Sequence, residues 1–447
     1  MRLQILSGLT LALLATTLLG GTSGASSSGL VPGNGNASGG ALVSAANAIA
    51  KNHLIGPKGS GLTRGVTSST ITIGCVDTAA SYTGYQQGIE ARLDQVNKGG
   101  GIDGRTVKLL PCEDDANSQQ TNVTDNEDLV NQDQVFSVLS LSQWELNGST
   151  NFLSQNQVPY FGWGYSPPFC GYRWGFGWNG CLGGNGFPEP IEAVASSLAA
   201  PMIKATGLPA SKVRLAVEGV NAQAGEIGDT QYVSDYEALG AKSVYSKANY
   251  PQNGSGVDNT PYVSAIMASK PNVVILSIPF ASVSSMAASL KAAGYKGAIM
   301  DFTNYIPGLL QSSAQLASAL QGEYVNTQVV PDEQDTAYIK TIDSALAAEG
   351  QPQFVTLGGF MGYAEADMLV QMLQAVGKNL NTATFDKIVN GGSFASFKHT
   401  TGGPGALVWP AAHYLPADCS AIVQVSGTGY KVIQHFGCYN SFKVSSK

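Results

Sequence analysis

The chain has 447 residues, 24 Lys or Arg against 31 Asp or Glu, and a formal net charge of -7; only 12% of it is charged, where about 25% is usual for globular proteins. A hydrophobic content of 43% excludes a charge-driven disordered chain, and the lack of any basic run excludes a nucleic-acid binder that works by counterion release. At roughly 100 to 200 residues per domain, the length implies two or three domains.

Met1 and Arg2 precede an apolar run from Ile5 to Leu19 and small residues from Gly20 to Ser28. Residues 1–28 read as a secretory signal peptide, too short in its apolar core to span a bilayer. No cysteine follows before Cys75, so lipid attachment is not expected. Residues 29–69 are rich in Ser, Gly, Asn and Pro and read as a flexible linker, with a short helix over Ala41–Lys51.

The folded body starts near Ser69. Thr70–Val76 has the apolar run of a buried parallel strand. Tyr85, Ile89, Leu93 and Val96 then recur at helical spacing, and Val107–Leu110 is the next strand. The alternation continues with a helix over Thr121–Asn131, a strand at Val135–Leu139, a helix at Ser149–Gln155 and a strand at Tyr160–Gly162. Between Cys170 and Gly186 it breaks: Tyr172, Trp174, Phe176 and Trp178 sit among glycines without helix or strand period. This aromatic loop reads as a lip over a cleft or as a docking patch. Helices over Pro190–Ala205, Gly225–Leu239, Tyr262–Ala268 and Val283–Ala293 then alternate with strands at Val213–Val217, Ser243–Tyr245, Val273–Ile278 and Gly297–Met300. A strand at Tyr324–Gln328 and helices at Asp335–Glu349 and Gly362–Val376 follow. Two β-α arrays separated by a break predict an α/β fold of two doubly wound lobes.

Six cysteines agree with export to an oxidising compartment. They allow fifteen connectivities, of which one is geometrically simple. Cys75 and Cys112 end neighbouring strands, Cys170 and Cys181 close the aromatic loop, and Cys419 faces Cys438 in a C-terminal hairpin. In that hairpin Ser426 falls opposite Lys431, leaving Gly427–Tyr430 as a four-residue loop. A metal site is disfavoured because no CxxC or paired Cys/His spacing occurs, and no cofactor is expected.

The segment Val96–Ala116, VNKGGGIDGRTVKLLPCEDDA, resembles the start of type I periplasmic binding proteins of the branched-chain amino-acid (Leu/Ile/Val) receptor family. Val158–Pro167 (VPYFGWGYSP), Val273–Gly294, Leu320–Pro331, Gly362–Gly377 and Gly405–Pro410 resemble later segments of that family in the same order. The resemblance spans about residues 70 to 445. It implies Rossmann-like lobes joined by three crossovers near Phe187, Gly322 and Thr400, with residues 70–187 and 323–400 in one lobe and 188–322 and 401–447 in the other. It also implies an extracytoplasmic, monomeric receptor that closes on a small-molecule ligand and serves an ABC-type permease.

Ligands of open α/β sheets bind beyond the carboxyl ends of the strands. That rule points to Tyr82 in the first loop, where Tyr85 fits the buried helix face instead. By position, the resemblance assigns ligand contacts to Ser140, Ser142, Gln143 and Trp144, and to Trp163, Gly164, Tyr165 and Ser166. Across the cleft the strand-end rule presents the loops Asn221–Gly225, Phe280 and Asp301–Tyr305, with Asn221, Phe280, Asp301 and Thr303 as the candidate contacts. The sequence lacks the aromatic that amino-acid receptors place before Gly225, and the carboxylate they direct at an ammonium falls near Thr303. The aromatic rings favour an amino acid or a similar small solute of aromatic or amide character. Asp114 and Asp115 read as structural residues at a strand end.

An enzyme is not expected. No GxSxG or HExxH occurs, the histidines at 53, 399, 413 and 435 lie outside every strand-end loop of the cleft, and no nucleophile pairs with a base. The alternatives are an extracellular sensor or scavenger without a permease and, less favoured, a secreted hydrolase.

Overall fold

The computed structural model describes residues 38–144, 146–181, 191–193, 196–252, 254, 256–305, 309–351, 356–392, 394–400, 402–439 and 442–444. The signal segment 1–28 and the first crossover, near Phe187, lie outside them. In chain order, α1 (Ser38–His53) precedes β1 (Thr70–Asp77), α2 (Tyr85–Lys98), β2 (Thr106–Leu109), β3 (Glu113–Asp114), α3 (Gln119–Asn131), β4 (Ser137–Leu141), α4 (Thr150–Gln155), β5 (Tyr160–Gly162) and β6 (Gly175–Gly177). These strands make a six-stranded parallel sheet of order β2-β1-β4-β5-β6, with β3 also paired to β1.

The chain then runs through β7 (Ile191–Ala193), α5 (Ser196–Thr206), β8 (Arg214–Val220), α6 (Gln223–Ala238), β9 (Lys242–Tyr250), α7 (Thr260–Ser269), β10 (Val273–Ser277), α8 (Phe280–Ala292), β11 (Ala298–Asp301), α9 (Leu309–Ser312), α10 (Ala314–Leu320) and β12 (Tyr324–Thr327). It returns with α11 (Ala337–Ala348), α12 (Leu357–Val376) and α13 (Thr382–Val389), then β13 (Phe394–Ser396) and β14 (Leu407–Trp409), and ends in β15 (Cys419–Ser426), β16 (Gly429–Cys438) and β17 (Phe442–Val444). The second sheet has seven strands in the order β16-β15-β12-β11-β10-β8-β9. Its β-α strands pair in parallel, as expected where helices cover both faces, and β15 and β16 add an antiparallel edge.

Two lobe boundaries differ from the sequence reading. β12 pairs with β11 and β15 in the second sheet, so the chain leaves that lobe after Thr327, not at Gly322. The return comes before Cys419, not near Thr400, because Trp409 and His413 pack on Phe176 of the first sheet.

Residues 54–69 are not a free linker. Ile55 N–H donates to the Gly171 carbonyl and Arg173 N–H to the Ile55 carbonyl. The Ser60 N–H reaches Gln157 Oε1 at 2.7 Å, and Arg64 Nε reaches the Val135 carbonyl at 2.9 Å. The glycines here serve close approach instead of flexibility: a Cβ on Gly59 would lie 2.1 Å from the Thr382 carbonyl oxygen.

The aromatic loop is likewise core, neither lip nor docking patch. β6 completes the first sheet beside β5, and Trp174, Phe176 and Trp178 are fully buried. Arg173 is fixed by Asp386 at 3.0 Å. Residues read as irregular became a strand because Gly175 and Gly177 let a narrow edge pack where Tyr160 and Gly164 leave no space for a Cβ.

All three disulfides form as the spacing suggested, with Cα–Cα distances of 4.6 Å for Cys75–Cys112, 5.1 Å for Cys170–Cys181 and 4.0 Å for Cys419–Cys438. The hairpin register slips twice between its staple and its tip, so Ser426 pairs with Gly429 and not with Lys431. The loop is therefore two residues long, the commonest hairpin length.

Phe176 stacks on Phe161 at 5.3 Å and meets Trp409 edge-on at 5.0 Å. Phe176→Ala should therefore cost about 3–5 kcal/mol, the usual loss for a buried aromatic, in a denaturant titration. An unchanged midpoint would return the segment to the surface.

Candidate functional site

β1, β3 and β4 end side by side, and their loops are tied to one buried carboxylate. Asp115 is fully buried. It accepts from Thr78 Oγ1 at 2.8 Å, Asn122 Nδ2 at 3.0 Å, the Asn117 N–H at 2.9 Å, and Ser142 Oγ. The two hydroxyls, having donated to Asp115, accept from the next loop: Gln143 N–H reaches Thr78 Oγ1 at 3.1 Å and Trp144 N–H reaches Ser142 Oγ at 2.9 Å.

Beyond these strand ends lies a cavity of about 130 Å³, partly open to solvent, between the two sheets. Its first wall comes from Tyr82, Ser142, Gln143, Asn147, Trp163, Tyr165 and Ser166. The facing wall comes from strand-end residues of β8, β10 and β11 and from Tyr232 of α6. No Asp, Glu, Lys, Arg or His lines it among the described residues. Tyr232 stacks on Phe302 with centroids 4.7 Å apart. Tyr165 reaches across, its hydroxyl 3.2 Å from Ser277 Oγ. That reach depends on Gly228 of α6, where a Cβ would lie 1.9 Å from the Tyr165 hydroxyl.

Of the sequence-derived candidates, Tyr82, Ser142, Gln143, Trp163, Tyr165, Ser166 and Thr303 share this cavity, and six do not line it. Ser140 is fully buried inside β4. Trp144 follows the loop without lining the cavity. Gly164 packs flat against Gly180, its N–H donating to Asn179 Oδ1 at 2.8 Å. Asn221 is exposed, and Ala222 and Gly225 take the wall position instead. Phe280 lines a separate small hollow with Ser81, Thr83 and Thr356. Asp301 is fully buried and turned back on its own loop, accepting from the Thr303 and Asn304 N–H groups at 2.7 Å each.

Outside the loops it named, the sequence reading missed Asn147, Val220, Tyr232, Gln252, Gln328 and the Leu276–Pro279 strand end. Leu276–Pro279 and Gln328 both follow strands of the second sheet, so the strand-end rule finds them once β12 is placed there. Tyr232, two turns into α6, carries no such signal.

On α6, against Gly219 of β8, lies Asp229, 3% exposed, with neither oxygen hydrogen-bonded among the described residues. Burial, and then the nearby Glu218, push its carboxyl up to about 8. The folded protein thus holds it neutral while the unfolded chain ionises near 3.8, so stability is lost as pH rises from about 4 through about 8. Asp229→Asn should gain about 2–5 kcal/mol over the wild type at pH 8.5 and nothing at pH 3.5, read from paired denaturant titrations. An equal difference at both pH values would remove Asp229 as the cause.

A profile described as periplasmic binding protein matches residues 72–430. No curated protein matches the chain in sequence. Among solved structures, it is similar to a fatty acid ABC transporter substrate-binding protein from Thermomonospora curvata, with a TM-score of 0.69 and 18% identity over 86% of this chain and 95% of that one. A branched chain amino acid ABC transporter protein from Thermus thermophilus with bound valine gives 0.65 and 13%, over 83% and 97%. A solute binding protein from R. palustris in complex with benzoate gives 0.61 and 14%, over 83% and 98%. At these identities the structures share the fold, and the profile match over most of the chain places it in the periplasmic binding protein family.

Proposed function

We propose that the chain is the extracytoplasmic solute receptor of an ABC-type uptake system and that it holds a small, uncharged, aromatic or amide-bearing molecule between its lobes. The observation that carries this reading is the wall of the cavity. Rings of Trp163, Tyr165, Tyr232 and Phe302 supply apolar surface, and Ser142, Gln143, Thr303 and Gln328 supply neutral polar groups, the composition expected of a small-molecule cleft. The solved relatives are named for a fatty acid, valine and benzoate, which supports small organic solutes in general. Transport needs no chemistry here; the ligand has only to favour the closed arrangement of the lobes over the open one. The Tyr165–Ser277 contact joins the lobes at the cavity and belongs to that closed arrangement.

Native mass spectrometry of the purified protein should find a small molecule bound. Adding that molecule at a hundred times its Kd should stabilise the fold by about 2.7 kcal/mol. Trp163→Ala should weaken it tenfold or more. A protein that neither carries nor responds to any small molecule is not a solute receptor.

Gly228→Ala separates helix stability from closure. Alanine favours a helix interior by about 1 kcal/mol over glycine, yet here its methyl group displaces the Tyr165 hydroxyl. The expected result is weaker ligand binding by calorimetry without loss of thermal stability, and unchanged affinity would show that Tyr165 does not act in closure.

A further inference from the structure

The cavity contains one amide whose orientation is forced and whose donors are unused. Gln328, 4% exposed, follows β12 where the chain leaves the second lobe. Its Oε1 accepts from Trp163 Nε1 at 2.6 Å and from Asn179 Nδ2 at 2.6 Å. An indole N–H can only donate, so the oxygen must face Trp163. Asn179 is fixed in turn, because its Oδ1 accepts the Gly164 backbone N–H. Gln328 Nε2 is thereby turned away from both, and it has no acceptor among the described residues. A buried donor left unmatched is costly unless something else fills the role.

The remaining polar groups narrow what that is. The Gln143 and Trp144 N–H groups are already spent on Thr78 and Ser142, and the Ser142 hydroxyl proton on Asp115. The strand-end loop of the first lobe therefore offers a ligand acceptors in place of donors. α6 starts without a side-chain cap beside Ala222 and Gly225. Its end carries about half a positive charge, which matches a carbonyl dipole better than it offsets a whole carboxylate. A carboxylate moved here from water would meet no cationic side chain among the described residues, and an unpaired buried charge is strongly disfavoured.

Resting on the receptor reading above, we propose that Gln328 anchors the ligand and that the ligand is an uncharged aromatic carbonyl compound, an amide, ketone or ester. Its carbonyl oxygen accepts from Gln328 Nε2 while its ring lies among Trp163, Tyr165, Tyr232 and Phe302. Carboxylic acids of the same shape are rejected.

The test is calorimetric titration of the full chain with matched pairs, benzamide against benzoate and phenylacetamide against phenylacetate, together with acetophenone, L-valine, decanoate and glucose. The amides and the ketone should bind at least tenfold more tightly than the acids. Gln328→Glu keeps an acceptor for Trp163 and Asn179 and removes the free donors. At pH 7.5 it should lose at least tenfold in amide affinity, and it should regain part of that toward pH 5, as the introduced carboxyl takes up a proton and can donate again. Circular dichroism should show the variant folded. If acids, valine, decanoate or glucose bind as tightly as the amides, the carbonyl class is wrong and the receptor reading stands. If amide affinity ignores Gln328→Glu, the anchor lies elsewhere. If no compound of any class binds, both the carbonyl assignment and the receptor reading fall.

Discussion

The buried carboxylate of Asp115 is the constraint on which the cleft depends. A polar group with no exposure is tolerable only when its oxygens are engaged in hydrogen bonds, and here donors from Thr78, Asn117, Asn122 and Ser142 converge on it. That requirement sets where β1, β3 and β4 must stop, since each strand end delivers part of the shell. It also spends the polar groups of the adjoining loop. The wall of the cavity is thus the outer surface of the hydrogen-bond shell around Asp115, which explains its neutrality better than a mere shortage of charged residues does.

Other buried acids have fewer donors, in both lobes: burial raises Asp77 to about 7 and Glu365 well above the usual carboxylate range in the first. Asp229, Glu218, Asp301 and Glu323 are buried with few donors, and burial raises all four, Asp229 to about 8, Glu218 to about 7 and Asp301 to about 6. Tyr245 and the Asp301 loop supply only partial compensation. The formal charge of -7 counts every carboxyl as ionised, so near neutral pH the folded protein is less negative than its sequence. Burial raises acids in both lobes, and no acidic or basic side chain lines the cavity between them among the described residues.

Much of the architecture was legible in the sequence because strands and helices alternate with strong periodicity, and the strand-end rule found seven residues of the cavity. The failures have physical causes. Gly175 and Gly177 hide a strand, since glycine carries no side-chain pattern to read. Residues 54–69 look like a linker by composition, but their small side chains let the backbone lie against Thr382 and Val135. Asp301 has the type and position of a ligand contact but does not line the cavity, because its Oδ1 is held by the N–H groups of its own loop. Gln328 was overlooked because its strand was assigned to the wrong lobe, whereas β12 pairs with β11 and with β15, some hundred residues later.

The segment that looked like a linker also has a mechanical meaning. α1 and the following residues bond to Gly171, Gln157, Thr382 and Asp386 of α13, and the loop at Ala411 and Tyr414, all of which belong with the first sheet. A pull applied at α1 is therefore passed to that lobe. In any opening of the cleft, α1, residues 54–69 and the first sheet turn as one body against the second.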